Sequence, residues 1–145
     1  MSQPVVIPVA ESLVIVNAVV ALTTWATAKL HLYSNNLVPN ENSVLADFTE
    51  CVYSGYAAQT ITWSSGFIDA QGNACASSGE KIFTDTGATP DLCYGVYITD
   101  SGGTVLLASG AIDNAPFGFS GSGVTLPLLI KVNATGGITA IAPTP

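Results

Sequence analysis

From Ala28 onward, short runs of β-branched, leucine and aromatic residues alternate with clusters of Gly, Asn, Asp and Ser. A turn signal about every ten residues, with strands too short to be helices, restricts the chain to an antiparallel arrangement. Ala28–Ser34 (AKLHLYS) alternates, with Lys29, His31 and Tyr33 on one face and Leu30 and Leu32 on the other, as in a half-buried strand. Gln59–Trp63, Gly66–Asp69 and Glu80–Thr84 are the next candidates. Leu92–Thr99 and Thr104–Ser109 flank Asp100-Ser101-Gly102-Gly103, a good hairpin connection. Gly123–Val132 is a further strand, whose Pro127 points to an edge or a bulge. Ile138–Ile141 closes the series. The expected fold class is mainly β, an antiparallel sandwich or barrel with an N-terminal arm and one short helix.

The segment before these strands differs. Residues 1–10 hold Pro4 and Pro8 in an apolar context and are expected as an extended arm, with residues 11–145 as one β-rich domain. Ala10–Leu22 is β-branched but long and without strict alternation, and the expectation is a buried helix. Its apolar run is interrupted by Asn17 and bounded by Glu11 and Thr23-Thr24, too short for a membrane span. Residues 1–11 carry no Lys or Arg, so a secretory signal is not expected.

Charge narrows the function. Ten acids face three lysines and no arginine, for a net charge of −7. Such a chain cannot neutralise phosphates, so neither nucleic acid nor an anionic membrane is expected as a partner. Only 9% of residues are charged while 48% are hydrophobic, so much of the outside must be apolar or merely hydroxylic. That surface suits permanent contact with other proteins better than life as a free monomer.

Chemistry is sparse. Cys51, Cys75 and Cys93 are widely spaced, with no CxxC, so no zinc site is expected. Three reduced, buried thiols are favoured over one disulfide and a free thiol. His31 sits in a regular strand, and a strand-surface or interface role is expected for it. Gly118-Phe119-Ser120-Gly121 misses the spacing of a nucleophile elbow. Ser43 is placed to cap a helical turn over SVLADFTE, with Asp47 and Glu50 on its outer side. If helical, that turn would make the two acids neighbours, but solvated acids explain them as well as two-carboxylate catalysis. Asp69–Asn73 offers oxygen ligands around Gly72 but lacks the acid density of a calcium loop, and a hairpin turn explains it as well. Asn133-Ala134-Thr135 is a glycosylation sequon, relevant only to a secreted protein. Ile61 and Trp63 alternate toward one face, expected to be the core. No catalytic, cofactor-binding or metal-binding residue is assigned, and no enzymatic activity is expected.

AKLHLYSNN, then ADFTE (Ala46–Glu50), then Gly55-Tyr56-Ala57 resembles a pattern in small, mostly uncharacterised proteins of tailed bacteriophages and prophage-like regions. The upstream Ile7–Leu22 resembles the apolar helix that precedes it. Tyr94-Gly95-Val96-Tyr97, Asp100–Gly103 and Val105-Leu106-Leu107 resemble the family's hairpin. The matched pieces span residues 7–107 and leave the remainder uncovered. Cys51 stands where an aliphatic or small residue is expected, and Ala108-Ser109-Gly110 lacks the acid and arginine that members often place there. No binding residue is carried across.

The resemblance implies a virion structural protein, assembled in the host cytoplasm, and most simply a minor capsid or decoration protein stabilising the shell. The alternative is a tail-fibre or spike module that contacts a host glycan. Partners would be the major capsid protein or other virion proteins, with a homo-oligomer expected and a trimer preferred for lattice geometry. The arm and the 35–58 segment supply the interface candidates Val5, Val6, Ile7, Asn35, Asn36, Leu37, Phe48, Tyr53 and Tyr56.

Overall fold

The computed structural model describes residues 9–133 and 138–141. Val5, Val6 and Ile7 lie outside the described residues. The helix expected over Ala10–Leu22 is present as α1 (Val9–Ala21), followed by the single turn α2 (Thr23–Ala26). The strands are β1 (Lys29–Tyr33), β2 (Gln59–Thr60), β3 (Phe67–Ile68), β4 (Ala74–Thr84), β5 (Asp91–Cys93), β6 (Gly95–Thr99), β7 (Leu106–Ala111), β8 (Phe117–Phe119), β9 (Thr125–Asn133) and β10 (Ile138–Ile141).

Two four-stranded antiparallel sheets, ordered β2-β1-β6-β7 and β10-β9-β4-β3, lie over one another. Leu30, Leu32, Val96 and Ile98 from the first meet Phe83, Leu126, Leu128 and Ile130 from the second in one buried core. The two-stranded ribbon β5-β8 adds Cys93 and Phe119 to it. The protein is therefore mainly β and sandwich-like, and the sheets do not close into a barrel. α1 packs against β4, where Val16 meets Ala74, Ala76 and Val132. Trp63 Nε1 donates to the Trp25 carbonyl at 2.9 Å and pins the end of α2 to this layer.

Several expectations need correction. β1 is not half-buried: Leu30 and Leu32 enter the main core, while His31 and Tyr33 are buried on the other face. The reason is the 34–50 segment, which folds back over that face and places Phe48 and Leu37 on Tyr33 and Tyr97. The run Leu92–Thr99 is broken at Tyr94, because β5 pairs with β8 while β6 pairs with β1 and β7. β4 extends well before Glu80, through Ala and Ser residues of weak strand propensity held by pairing with β9. β2 keeps only two residues of the expected Gln59–Trp63. β9 lies between β4 and β10, but Pro127 precedes the stretch that β10 pairs, Leu129–Val132.

Candidate functional site

The most chemically loaded place surrounds the only histidine. Antiparallel pairing sets His31 opposite Tyr97, and the two rings stack at 4.6 Å between centroids, 9° from parallel. Phe48 stacks on Tyr97 at 5.0 Å, and Tyr33 meets Phe48 edge-on at 5.1 Å. His31 Nε2 lies 2.9 Å from Thr99 Oγ1, and Nδ1 lies 2.5 Å from Glu50 Oε2. Glu50 is brought there by an isolated bridge to Tyr33, not by a helical turn. Tyr56 completes the group: its hydroxyl accepts from the Leu32 N–H at 3.1 Å and donates to Glu50 Oε2 at 2.6 Å.

Donor accounting gives each group its role. Thr99 Oγ1 donates to the Asp100 carbonyl at 2.8 Å, so toward His31 it accepts. Nε2 therefore donates to it, and Nδ1 faces Glu50 Oε2. Threonine, histidine and carboxylate in this order have the outline of a nucleophile–base–acid series. The proton direction is wrong for it, since the threonine proton points to a backbone carbonyl and away from the imidazole. Thr99 is also fully buried. What the arrangement accomplishes is tethering: Glu50 fastens the 34–50 segment to β1 through His31 and to the 51–58 segment through Tyr56. Glu50→Ala is expected to cost about 1–3 kcal/mol and Glu50→Gln less, because the amide retains hydrogen-bonding capacity. Urea unfolding of the two variants checks this.

Burial pushes the Tyr33 hydroxyl up to about 12, with Cys93 adding to the shift. It pushes Tyr97 up to about 12 as well, with Glu50 and Cys51 adding to the shift. Tyr53 and Tyr56 are raised too, first by burial and, for Tyr56, next by its bond to Glu50. A raised tyrosine keeps its proton in the folded state while the unfolded chain loses it. Stability is then fully present below pH 10 and falls as the pH rises toward 12. Chemical denaturation between pH 9 and 12, alongside ultraviolet titration of the phenols, is expected to show that loss.

The nearby thiols are structural. Cys51, Cys75 and Cys93 are all buried and unbridged, in line with the reduced reading. The Cys51 thiol is held well above its ordinary range by its contact with Cys93 and by burial. Asp85 is also fully buried: its Oδ1 accepts from the Gly87 N–H at 3.0 Å, while Oδ2 has no partner among the described residues.

The expected contact residues divide. Asn35 is a clamp: its Nδ2 donates to the Asp47 carbonyl at 2.8 Å and its Oδ1 accepts from the Thr49 N–H at 2.9 Å. Asn36 is exposed and Leu37 half-buried. Phe48 and Tyr53 are buried in the protein's own core, Tyr53 stacking on Phe119 at 3.8 Å, and Tyr56 is half-buried. Outward on the same 35–58 segment stand Val38, Val44 and Val52, Val38 being 77% and Val52 71% exposed. Phe48 and Tyr53, named as interface candidates, are therefore not free to meet a partner, because a segment folded over a sheet buries its largest side chains. The turn over Leu45–Asp47 is a 3₁₀ turn, and Asp47 Oδ2 caps the Val44 N–H at 2.9 Å. Ser43, expected as that cap, instead accepts from the Asn40 N–H at 2.9 Å. Thr99 was missed as a partner of His31, since only the pairing of β1 with β6 brings them together.

A second feature is a polar cleft of about 410 Å³ between the β3–β4 turn, β9 and the β7–β8 connection. Asp69, Asn73, Asp113 and Lys131 line it. Asp69 Oδ1 accepts from the Gln71 and Asn73 N–H groups, so Asp69–Asn73 is a hairpin turn, the second of the two readings its sequence allows. Among the described residues no cluster of His, Cys, Asp or Glu could hold a metal ion, and no helix is long and apolar enough to cross a membrane. No family model, curated protein or solved structure matches the chain.

Proposed function

We propose that this chain is a structural subunit of a bacteriophage particle, a minor capsid or decoration protein that stabilises the shell by burying apolar surface against its neighbours. The observation that carries the reading is the outward valine set on the folded-back segment, Val38, Val44 and Val52. A chain with 13 ionisable side chains of Asp, Glu, Lys type in 145 residues has little charge elsewhere to keep such a surface in water. Hydrogen bonds of Asn35, Glu50 and Tyr56 tie the segment that carries them to the rest of the fold, which lowers the ordering entropy a partner has to overcome. The phage resemblance of the same stretch supports the same conclusion. Each contact adds stability to the neighbour by mass action.

Val38→Asp and Val52→Asp test it. Both side chains are exposed, so the variants should melt within about 0.5 kcal/mol of the parent and yet fail to join particles that lack the wild-type protein. Particles without it should break at lower temperature or milder osmotic shock. Equal particle binding by both variants, or unchanged particle stability, contradicts the proposal.

The polar cleft favours a second reading, a fibre or spike module for a host glycan, because its mixture of acceptors and one ammonium suits neutral sugar hydroxyls. Labelled protein that adsorbs to host cells, and loses this with Asp113→Ala, would support it. Failure to adsorb removes it.

A further inference from the structure

Two of the thiols meet. Cys51 follows the Glu50 bridge to β1, and its N–H donates to the Leu32 carbonyl at 3.0 Å. Cys93 ends β5, and the next residue, Tyr94, donates its N–H to the Tyr33 carbonyl at 2.9 Å. Consecutive residues of β1 thus anchor both segments. The chain at 51–52 also bonds to β5 itself: the Val52 N–H donates to Asp91 Oδ2 at 2.6 Å, and Cys51 Sγ donates to the Leu92 carbonyl at 3.6 Å. That carbonyl belongs to the peptide joining Leu92 to Cys93, so the Cys51 sulfur is delivered beside Cys93. The two thiols are in contact within one buried core. Cys93 Sγ donates to the Gly95 carbonyl at 3.4 Å, so backbone oxygens orient both sulfurs. A single buried cysteine is a small hydrophobe. Two that touch are one oxidation away from a cross-link, for which facing side chains at close range are the geometric requirement.

We propose that Cys51 and Cys93 are a redox-closable pair, whose disulfide staples the 51–58 segment to β5. The oxidant is a small disulfide of the glutathione type. One cysteine thiolate attacks it, giving a mixed disulfide and one released thiol. The second cysteine attacks the protein sulfur of the mixed disulfide and expels the other thiol. Two protein thiols are oxidised, one small disulfide is reduced, and the two protons pass to the departing thiolates. The bridge closes the loop 52–92 and stabilises mainly by restricting the unfolded chain. Cys75 sits on β4 at the polar cleft, opposite Phe67 and Asn133, and takes no part. The inference concerns the chain alone and does not depend on the structural reading above.

The test refolds the 145-residue chain from urea in a mixture of reduced and oxidised glutathione, with dithiothreitol as the reduced reference. Of the three thiols, only that of Cys75 should remain free when counted in denaturant. Peptide mapping should link Cys51 to Cys93. The melting temperature should rise by about 5–10 °C and return with dithiothreitol. Cys75→Ser should keep both the bridge and the rise, whereas Cys51→Ala and Cys93→Ala should each abolish them. If either alanine variant fails to fold, the map of the wild-type protein decides. Thiols that all stay free, a bridge that includes Cys75, or glutathione left on Cys51 or Cys93 without a bridge overturns the proposal. So does a mapped Cys51–Cys93 bridge that leaves the melting temperature unchanged or lowers it. A chain that bridges as expected but never joins a particle contradicts the structural reading and leaves this inference standing.

Discussion

Gly95→Ala is expected to destabilise the protein by roughly 3 kcal/mol or more, the upper end for overpacking. Gly95 opens β6 immediately after the chain leaves β5, opposite Tyr33 on β1 and Ala111 on β7. A Cβ there would meet the Gly110 carbonyl oxygen and lie 2.5 Å from Tyr33 Oη and 2.6 Å from Tyr33 Cε1. Neither neighbour can yield. The Gly110 oxygen belongs to the paired strand, and the Tyr33 ring is fully buried with its hydroxyl donating to the Leu37 carbonyl at 2.8 Å. Shifting Tyr33 would release the 34–50 segment that carries the proposed contact surface. For a domain of this size the melting temperature should fall by about 10 °C. A fall of only a degree or two would mean that β6 does not run against Tyr33 as described.

Phe83→Ala is expected to cost about 3–5 kcal/mol. Phe83 is buried on β4 within the main core, and its ring lies 6.2 Å from that of Tyr56, so it joins the second sheet to the segment crossing the first. Its neighbour Ile82 points outward and is half exposed. Ile82→Ala should therefore cost only about 0.5 kcal/mol. Two adjacent residues with such different costs test the strand's register directly, because a slip of one residue exchanges their faces. Comparable losses in denaturant unfolding would contradict the pairing of Phe83 with Leu126.

The elements that could be read in advance carry their signal locally. Lys29–Tyr33 alternates, and Asp100–Gly103 forms its turn with Asp100 Oδ1 accepting from the Thr104 and Val105 N–H groups at 2.7 and 3.0 Å. The backbone groups hold that carboxyl below its ordinary range. Ile138–Ile141 matched to the residue. What escaped was whatever depends on a distant partner. Ala74–Ser77 has no strand signal of its own and is extended because β3 pairs with Ala74 and Cys75 and β9 with Cys75–Ser77. The burial of His31 could not be foreseen from β1, since its cover comes from Phe48 and its ligands from Glu50 and Thr99. The outward valines were hidden for the same reason: only the folded segment reveals which of its apolar residues are left in water.

The measurement that bears most directly on the central claim is the copy number and position of this protein in purified intact particles, by quantitative mass spectrometry and by imaging the labelled chain. A minor capsid or decoration subunit will be present at a fixed ratio to the major shell subunit and at a regular place on or between shell subunits, with Val38 and Val52 covered. Absence from washed particles, or a variable trace amount, would contradict it.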